Sequence, residues 1–154
     1  MTDVSTASDR FTELLAALSR RTATSLEAPQ GLLVLIDGGD NVQLVVERDD
    51  DRVMLVARVM AIPQEDPAGL LALRLLRLNA DRDALSGATI AADSVRRQFV
   101  LIRELALQPD AEAMADEIDA MLDLAAEIRA DVAGARVHRP PTAALLVRAS
   151  GRAA

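Results

Sequence analysis

Residues whose types could support catalysis or metal binding are few and scattered in this sequence. The single histidine, His138, lies near the C-terminus, and the sequence places no carboxylate or hydroxyl partner beside it. The run Asp49-Asp50-Asp51 could collect a divalent cation, but the spaced oxygen ligands and the glycine of a calcium-binding loop are missing. Gly38-Gly39 is not followed by the helix with Lys and Ser or Thr that a phosphate-binding loop needs. We therefore predict a protein that is not an enzyme, with no catalytic residue, no metal site and no cofactor, and we interpret the three features as a solvated histidine and two turns.

The composition narrows the class of protein. The chain has 154 residues, of which 51% are hydrophobic and 27% charged, and this length fits one folded domain. The absence of cysteine excludes disulfides, thiolate metal sites and a thiol nucleophile. The polar N-terminus lacks the apolar core of a signal peptide, and the longest apolar runs span about five residues, far fewer than the about 20 that cross a bilayer. These features predict a cytoplasmic protein without membrane insertion.

The charge is distributed unevenly along the chain. The formal net charge is −7, and all 17 basic residues are arginine. Residues 108–131 carry eight acids and one arginine, whereas residues 132–154 carry four arginines and no acid. An acidic body repels phosphate backbones, and the two aromatic residues, Phe11 and Phe99, cannot form a base-stacking platform. We therefore expect no nucleic-acid partner.

Hydrophobic periodicity divides the chain into helices and strands. Apolar residues at helical spacing follow Asp9, and three short apolar runs separated by turn residues end at Pro63. Pro109 opens a last helix with acids in its first turn, and Gly134 ends it. The predicted elements are a helix from Asp9, strands over residues 32–37, 42–47 and 53–62, a helix over 66–79, strands over 86–92 and 98–107, and a helix from Pro109 to Gly134.

This order, α-β-β-β-α-β-β-α, predicts an α+β domain in which three helices pack on a five-stranded antiparallel sheet. We expect the domain to span residues 9–132, with a flexible N-terminus over residues 1–8 and a flexible Arg/Pro-containing tail over residues 133–154. The last helix has an acidic outer face, which we interpret as solvated, with docking to a basic surface as the alternative. The residues of this face are Glu112, Asp116, Asp119, Asp123, Glu127 and Asp131.

The segment from Asp66 to Asn79 predicts a helix that is apolar on two sides. Asp66 is a suitable N-cap, and Pro67 suits the first helical position. Burying a leucine is worth about 1.5–3 kcal/mol, so both sides of such a helix should be covered. A central helix inside a single-chain sandwich is one interpretation, but we favour a second copy of the chain in a symmetric dimer. The predicted dimer interface consists of Leu70, Leu71, Leu73, Arg74, Leu75 and Leu78.

The succession of elements resembles the class I type III secretion chaperones, the Tir chaperone family. The segments that carry the resemblance are LLVLIDGG, LVARVMAIP, DPAGLLALRLLRLNA, SGATIAAD and RRQFVLIRELAL, followed by the acidic final helix. The likeness covers residues 9–132 and leaves the tail outside. It implies a cytoplasmic homodimer that binds the extended N-terminal segment of a secreted effector without ATP and keeps it soluble and secretion-competent. The secretion ATPase is a further candidate partner.

A meander with an exposed edge strand can accept an extended polypeptide by strand addition, with apolar patches that receive its side chains. The first helix and the meander offer candidates for such patches, although ordinary core contacts would explain the same residues. The predicted effector-binding residues are Leu14, Leu18, Leu33, Leu35, Val45, Leu55 and Ala57.

Two classes of function stay open at this point. The favoured one is the secretion chaperone, and the alternative is an adaptor or regulatory dimer of the same fold that binds a folded protein. An unfolded N-terminal effector fragment separates the two, because the adaptor should ignore it. An enzyme is a third interpretation. Support for it would require a measured turnover that is lost when Asp37 or Asp93 is substituted.

Overall fold

The computed structural model describes residues 4–36, 42–66 and 69–134, which form three α-helices and a five-stranded sheet. Short 3-10 turns at Pro29–Gly31 and Leu78–Ala80 precede the first strand and follow the second helix. The strands are antiparallel in the order β1-β2-β3-β5-β4, so the predicted fold class and order of elements are confirmed. The elements are α1 (Val4–Thr22), β1 (Leu32–Ile36), β2 (Val42–Asp49), β3 (Arg52–Ala61), α2 (Leu70–Arg77), β4 (Thr89–Asp93), β5 (Gln98–Ala106) and α3 (Ala111–Ala133).

The first helix begins at Val4, five residues before the predicted start at Asp9. Ala7 lies one turn before the buried Phe11 and packs against the core, so the apolar stripe of the helix extends further towards the N-terminus than expected. Residues 4–8 therefore belong to the first helix, and the flexibility of residues 1–8 stays a prediction. The folded region also extends to Gly134, and residues 135–154, which make up most of the predicted tail, lie outside the described residues.

The core lies between one face of the sheet and the helices. Successive strand residues point to opposite faces, and this alternation is visible in the burial of β1, β2 and β3. On the core face, Leu33 pairs with Val46, and Val46 pairs with Leu55, so each inward leucine or valine has an apolar neighbour on the next strand. The buried residues of this face include Leu33, Leu35, Leu44, Val46, Val53, Leu55, Ala57, Ile90, Phe99 and Leu101.

The last helix matches its prediction closely. The Asp110 carboxylate accepts hydrogen bonds from the backbone N–H groups of Glu112 and Ala113, both at 3.1 Å, which caps the N-terminus. Gly134 ends the helix in the left-handed conformation at φ 65°. The apolar stripe lies on the core, and its buried residues are Met114, Ala115, Ile118, Met121, Leu122, Ala125 and Ile128.

The central helix is shorter than predicted and begins at Leu70 rather than at Asp66. Gly69, at φ 63°, occupies the N-cap position, so the chain turns at Gly69 directly before the helix. The Asp66 side chain still satisfies the free end of the helix, because Oδ1 accepts from the N–H of Leu71 at 3.0 Å and Oδ2 from that of Ala72 at 3.2 Å. Asp66 is thus a capping residue that acts from outside the helix.

The sequence suggested that the acidic face of α3 is solvated, but in the structure part of this face forms ion pairs. Its N-terminal half binds arginines at the C-terminal end of α1: Arg20 donates to Glu112, and Arg21 to Glu112 and Asp119. Arg21 also pairs with Asp116, with Nη2 and Oδ1 2.8 Å apart. These contacts hold the two helices side by side over the sheet, so part of the acidic face serves the protomer's own fold.

Candidate protein-binding site

Six of the seven predicted effector-binding residues are buried in the core of the protomer. Leu14, Leu33, Leu55 and Ala57 have no exposed surface, and Leu18 and Leu35 have no more than 3%. Their side chains lie between α1, α3 and the sheet, because the strand alternation places them on the covered face. The side chains of these six residues are therefore covered by the protomer itself and make ordinary core contacts. The backbone of Leu33 and Leu35 belongs to the edge strand β1.

Val45, the seventh, lies on the opposite face of the sheet. The strand register aligns Val34 of β1, Val45 of β2, Val56 of β3 and Ile102 of β5 in one line across four strands. All four side chains are only partly buried. We call these four residues the valine row. It is an apolar strip that runs across the strands on the face turned away from the core.

Charged residues border the valine row on one side. Glu47 pairs with Met54, and Met54 with Glu104, so a parallel line of two carboxylates and an exposed methionine lies next to the row. Arg52 forms an ion pair with Glu104, and this hydrogen bond raises the pKa of Arg52. An open depression of about 340 Å³ lies at this border, lined by Glu47, Arg48, Asp49, Arg52, Met54 and Glu104. The strip therefore offers apolar contact next to hydrogen-bonding and charged groups, a combination suited to a polypeptide ligand.

A second apolar surface lies on α2. Leu70, Leu73 and Leu76 are 65%, 50% and 48% exposed and lie on one side of the helix, and we call them the leucine face. Leu75, on the other side, has no exposed surface and packs in the core with Leu85 and Ile90. The helix therefore has two apolar sides, of which the protomer covers one.

The structure divides the predicted dimer-interface residues between these two sides. Leu75 belongs to the core of the protomer, so it cannot contribute directly to an interface, and Leu71 and Leu78 are half-buried against the core. Leu70 and Leu73 lie on the exposed leucine face. Arg74 is exposed, and its Nη2 donates to the backbone oxygen of Asp131 at 3.2 Å, which links α2 to the end of α3. Leu76, which completes the leucine face, was absent from the prediction.

The described residues offer little support for a catalytic or metal-binding site. Asp49 ends β2, and Asp50 and Asp51 lie in an exposed turn, with Asp50 at φ 50°. Among the described residues no group of three or more His, Asp or Glu side chains could hold a metal ion. His138 and Gly38-Gly39 lie outside the described residues, and the predicted lack of catalytic residues and cofactors stays a prediction. Within residues 4–36, 42–66 and 69–134, no helix has the length and apolar character to cross a bilayer.

Sequence reasoning missed most of the valine row, although one signal pointed to it. In β2, Val45 lies between Gln43 and Glu47 on the same face of the strand, and these two polar neighbours indicate that this face is not turned to the core. The partners Val34, Val56 and Ile102 lie in runs that are apolar on both faces, so the strand register is needed to place them beside Val45.

Comparison with known proteins identifies the family. Residues 13–129 match the Tir chaperone protein (CesT) family, and since this is most of the chain, the protein belongs to that family. No curated protein is significantly similar to the chain in sequence.

Solved structures share the fold at low sequence identity. A chain of the crystal structure of the ExsC-ExsE complex is 18% identical, with a TM-score of 0.66 over 80% of this chain and 92% of that one. A chain of the heterodimeric ExoU-SpcU complex from the type III secretion system of Pseudomonas aeruginosa is 20% identical, with a TM-score of 0.54 over 78% and 94%. A chain of the Yersinia pestis secretion chaperone SycH in complex with a fragment of YscM2 is 13% identical, with a TM-score of 0.54 over 75% and 96%. The family resemblance seen in the sequence is thus confirmed, and the fold is that of type III secretion chaperones.

Proposed function

We propose that this protein is a type III secretion chaperone that binds the extended N-terminal segment of a secreted effector in the cytoplasm. The observation that carries the proposal is the valine row, an apolar strip on the outer face of the sheet with carboxylates at its border. The family supports the same function, and the similar structures named above are complexes with a second protein. Bound in this way, the effector segment stays soluble and competent for secretion.

The mode of binding follows from the chemistry of an extended polypeptide. Such a segment has unpaired backbone N–H and C=O groups, and an edge strand such as β1 can pair with them by strand addition. Its apolar side chains can then cover the valine row next to that edge. Binding needs no ATP in this scheme, because burial of apolar surface and backbone hydrogen bonds supply the free energy. The protein accordingly acts by binding and is not an enzyme.

The leucine face of α2 is proposed as the contact between two copies of the chain. Full burial of a leucine stabilises by about 1.5–3 kcal/mol relative to exposure, so three leucines exposed on one short helix favour a covering partner. A second copy presents the same face, which satisfies the self-complementarity that a twofold interface requires. The proposed assembly is therefore a homodimer in which the two α2 helices pack against each other.

The exposed acids of α3 suit a basic partner from the secretion machinery. Glu127 and Asp131 lie on the half of the helix beyond the contacts with Arg20 and Arg21, and both are exposed. Asp131 also pairs with Arg74, with Oδ2 and Nη2 3.3 Å apart, so Glu127 is the stronger candidate. A basic surface, such as one on the secretion ATPase, would find complementary charge there. This docking is part of the proposal.

Co-expression with candidate effectors tests the function. The protein is co-expressed with N-terminal fragments encoded by neighbouring reading frames, and each complex is measured by light scattering and by the solubility of the fragment. We expect one or a few unfolded fragments to become soluble only with the protein and to form a stable complex without added ATP. An adaptor for folded proteins would leave all such fragments insoluble, and that result would contradict the proposal.

Paired variants locate the binding surface. Val45→Asp and Val56→Asp place charge in the valine row, and we expect each to weaken fragment binding by about tenfold or more, because an unpaired charge in a dry contact is costly and the bordering acids cannot neutralise a carboxylate. Val95→Asp is the matched control, since Val95 is 91% exposed in the turn between β4 and β5 and lies outside the row. Equal binding by all three variants would remove the valine row from the proposal.

A further inference from the structure

The sheet has two edge strands, β1 and β4, and the two edges differ. An edge strand normally exposes N–H and C=O groups that can pair with any extended chain, including another copy of the same protein. If both edges were open, strand addition could occur at either one. The structure closes β4 in an unusual way, with a side chain in place of a strand.

The side-chain amide of Asn79 pairs with the outer edge of β4. Its Oδ1 accepts a hydrogen bond from the backbone N–H of Ile90 at 2.7 Å, and its Nδ2 donates to the backbone oxygen of the same residue at 3.0 Å. A primary amide carries a donor and an acceptor side by side, as does the pair of backbone groups that a residue of a neighbouring antiparallel strand presents. The Asn79 side chain therefore occupies the position that a sixth strand would take opposite Ile90.

The position of Asn79 is fixed by the core. Asn79 lies in the 3-10 turn Leu78–Ala80, which continues directly from α2. Leu75 of α2 and the side chain of Ile90 are both buried in the same core cluster, so the turn and the strand are anchored to each other. The amide of Asn79 is consequently delivered by a packed element and does not depend on a mobile surface side chain.

The closure is effective because β4 is short. Backbone groups along an antiparallel strand point alternately towards and away from the paired strand. Since Ile90 bonds outwards to Asn79, the same alternation directs Ala92 outwards, and these are the two outward residues in a strand of five. Because the outward backbone groups of Ile90 already bond to Asn79, an added strand could pair only with those of Ala92, which is too few for a stable ladder of hydrogen bonds.

We propose that the Asn79 side chain closes the β4 edge, so that an extended client adds to the sheet at β1 and not at β4. Closure of the edge stands on the geometry alone, and the statement about the client rests on the proposed function. The same closure prevents two copies from joining through β4, which leaves the side chains of the leucine face to make the contact between them.

Hydrogen exchange of the free, isotope-labelled protein tests the closure without any client. In the wild type we expect the Ile90 amide to be protected about as well as that of Ala91, which bonds towards β5. In Asn79→Ala we expect Ile90 to exchange at least about tenfold faster while Ala91 keeps its wild-type rate. Asn79→Asp retains an acceptor for the N–H and should preserve part of the protection of Ile90. Unchanged exchange at Ile90, or equal acceleration of Ile90 and Ala91 in both variants, would overturn the closure.

Exchange in the complex tests the choice of edge. The probe is the N-terminal effector fragment that the co-expression experiment makes soluble. With wild-type protein we expect the fragment to slow exchange at alternate amides of β1 and to leave Ala92 unaffected, whereas with Asn79→Ala it should also protect Ile90 and Ala92. Protection of Ala92 in the wild type would overturn the proposal while leaving effector binding intact. If no fragment binds, the proposed function fails, and the free-protein measurement still decides whether Asn79 closes the edge.

Discussion

Arg21 and Glu112 join the two helices that cover the sheet, although 91 residues of sequence separate them. Nη2 of Arg21 lies 2.9 Å from Oε2 of Glu112, and Nη1 lies 2.9 Å from Oδ2 of Asp119, about two turns further along α3. The hydrogen bond that Arg21 donates to the Glu112 carboxylate is the largest cause of the raised pKa of Arg21. One guanidinium thus spans successive turns of α3 and fixes the position of α1 along it.

Arg21→Ala should lower the free energy of unfolding by about 1 kcal/mol, because the Arg21 side chain is only 24% exposed and several partners lose one donor together. Arg20→Ala is the matched control. Arg20 is adjacent in sequence but 65% exposed, and we expect it to cost no more than about 0.5 kcal/mol. Urea unfolding measures the free energy of unfolding of both variants. An equal decrease in the two variants would mean that the lower exposure of Arg21 does not strengthen its ion pairs.

The same cluster predicts a loss of stability in acid. Hydrogen bonds from Arg20 and Arg21 hold the pKa of Glu112 below its ordinary value of about 4.5. A depressed pKa in the folded state means that the contribution is fully present above the ordinary value and is lost as the pH falls through the folded value. Melting temperatures measured from about pH 6 downwards should therefore fall less in Glu112→Gln than in the wild type below about pH 4.5. Parallel curves would show that Glu112 is not a source of the acid sensitivity.

Local signals in the sequence were sufficient for most of the fold. Asp110 and Gly134 mark the ends of α3 because capping depends on the residue at that position and little on the rest of the chain. Errors arose where backbone conformation overrides the pattern. The predicted strand from Ser86 begins three residues later, at Thr89, because Ser86 and Gly87 have φ values of 50° and 77° and form a turn. Gly69 moves the start of α2 in the same way.

The binding surfaces were less accessible to prediction because they depend on which face of each element is covered. The runs over β1 and β3 are apolar on both faces, so the sequence cannot decide whether Leu33 or Val34 faces the core. In α2, the helical spacing indicates two apolar sides, but the side that packs on the sheet is set by tertiary contacts. The bond from Asn79 to Ile90 joins residues 11 apart through a turn, and no sequence pattern indicates it.

Two aspartate substitutions separate the two sides of α2. Leu75→Asp should prevent folding, because it buries a carboxylate without a partner in the core. Leu76→Asp should leave the protomer folded, with wild-type secondary structure, and reduce the particle mass in light scattering to that of a monomer. Val95→Asp, at a residue 91% exposed outside α2, is the control and should keep the mass of the wild type. A dimer mass for Leu76→Asp would remove the leucine face from the interface.

Deletion of residues 135–154 tests the predicted boundary of the folded domain. The helix that precedes this segment is capped by Gly134, whose N–H donates to the backbone oxygens of Ala130 and Asp131, so α3 has a satisfied end before the segment begins. We expect the shortened protein to keep the melting temperature and the dimer mass of the full chain. A clear fall in either quantity would show that the segment packs on the body, and Leu145, Leu146 and Val147 would be the first residues to substitute.

Asp66→Ala should weaken the proposed dimer by lowering the stability of α2. The Asp66 carboxylate accepts hydrogen bonds from the N–H groups of Leu71 and Ala72, in the first turn of a helix of only eight residues. Loss of a cap costs about 1 kcal/mol, and in so short a helix the cost falls on the turn that presents Leu70 and Leu73. Both protomers carry the substitution, so the cost per dimer is about 2 kcal/mol. We therefore expect the dimer dissociation constant to rise by up to about thirtyfold, since 2 kcal/mol corresponds to roughly that factor.

Asp110→Ala supplies the control for that experiment, because it removes an equivalent cap from α3. It should lower the free energy of unfolding by a similar amount, about 1 kcal/mol, without changing the dissociation constant of the dimer. Sedimentation equilibrium at several concentrations measures that constant for both variants. If both caps weaken the dimer equally, then general stability and not the order of α2 controls association, and the leucine face loses its special role.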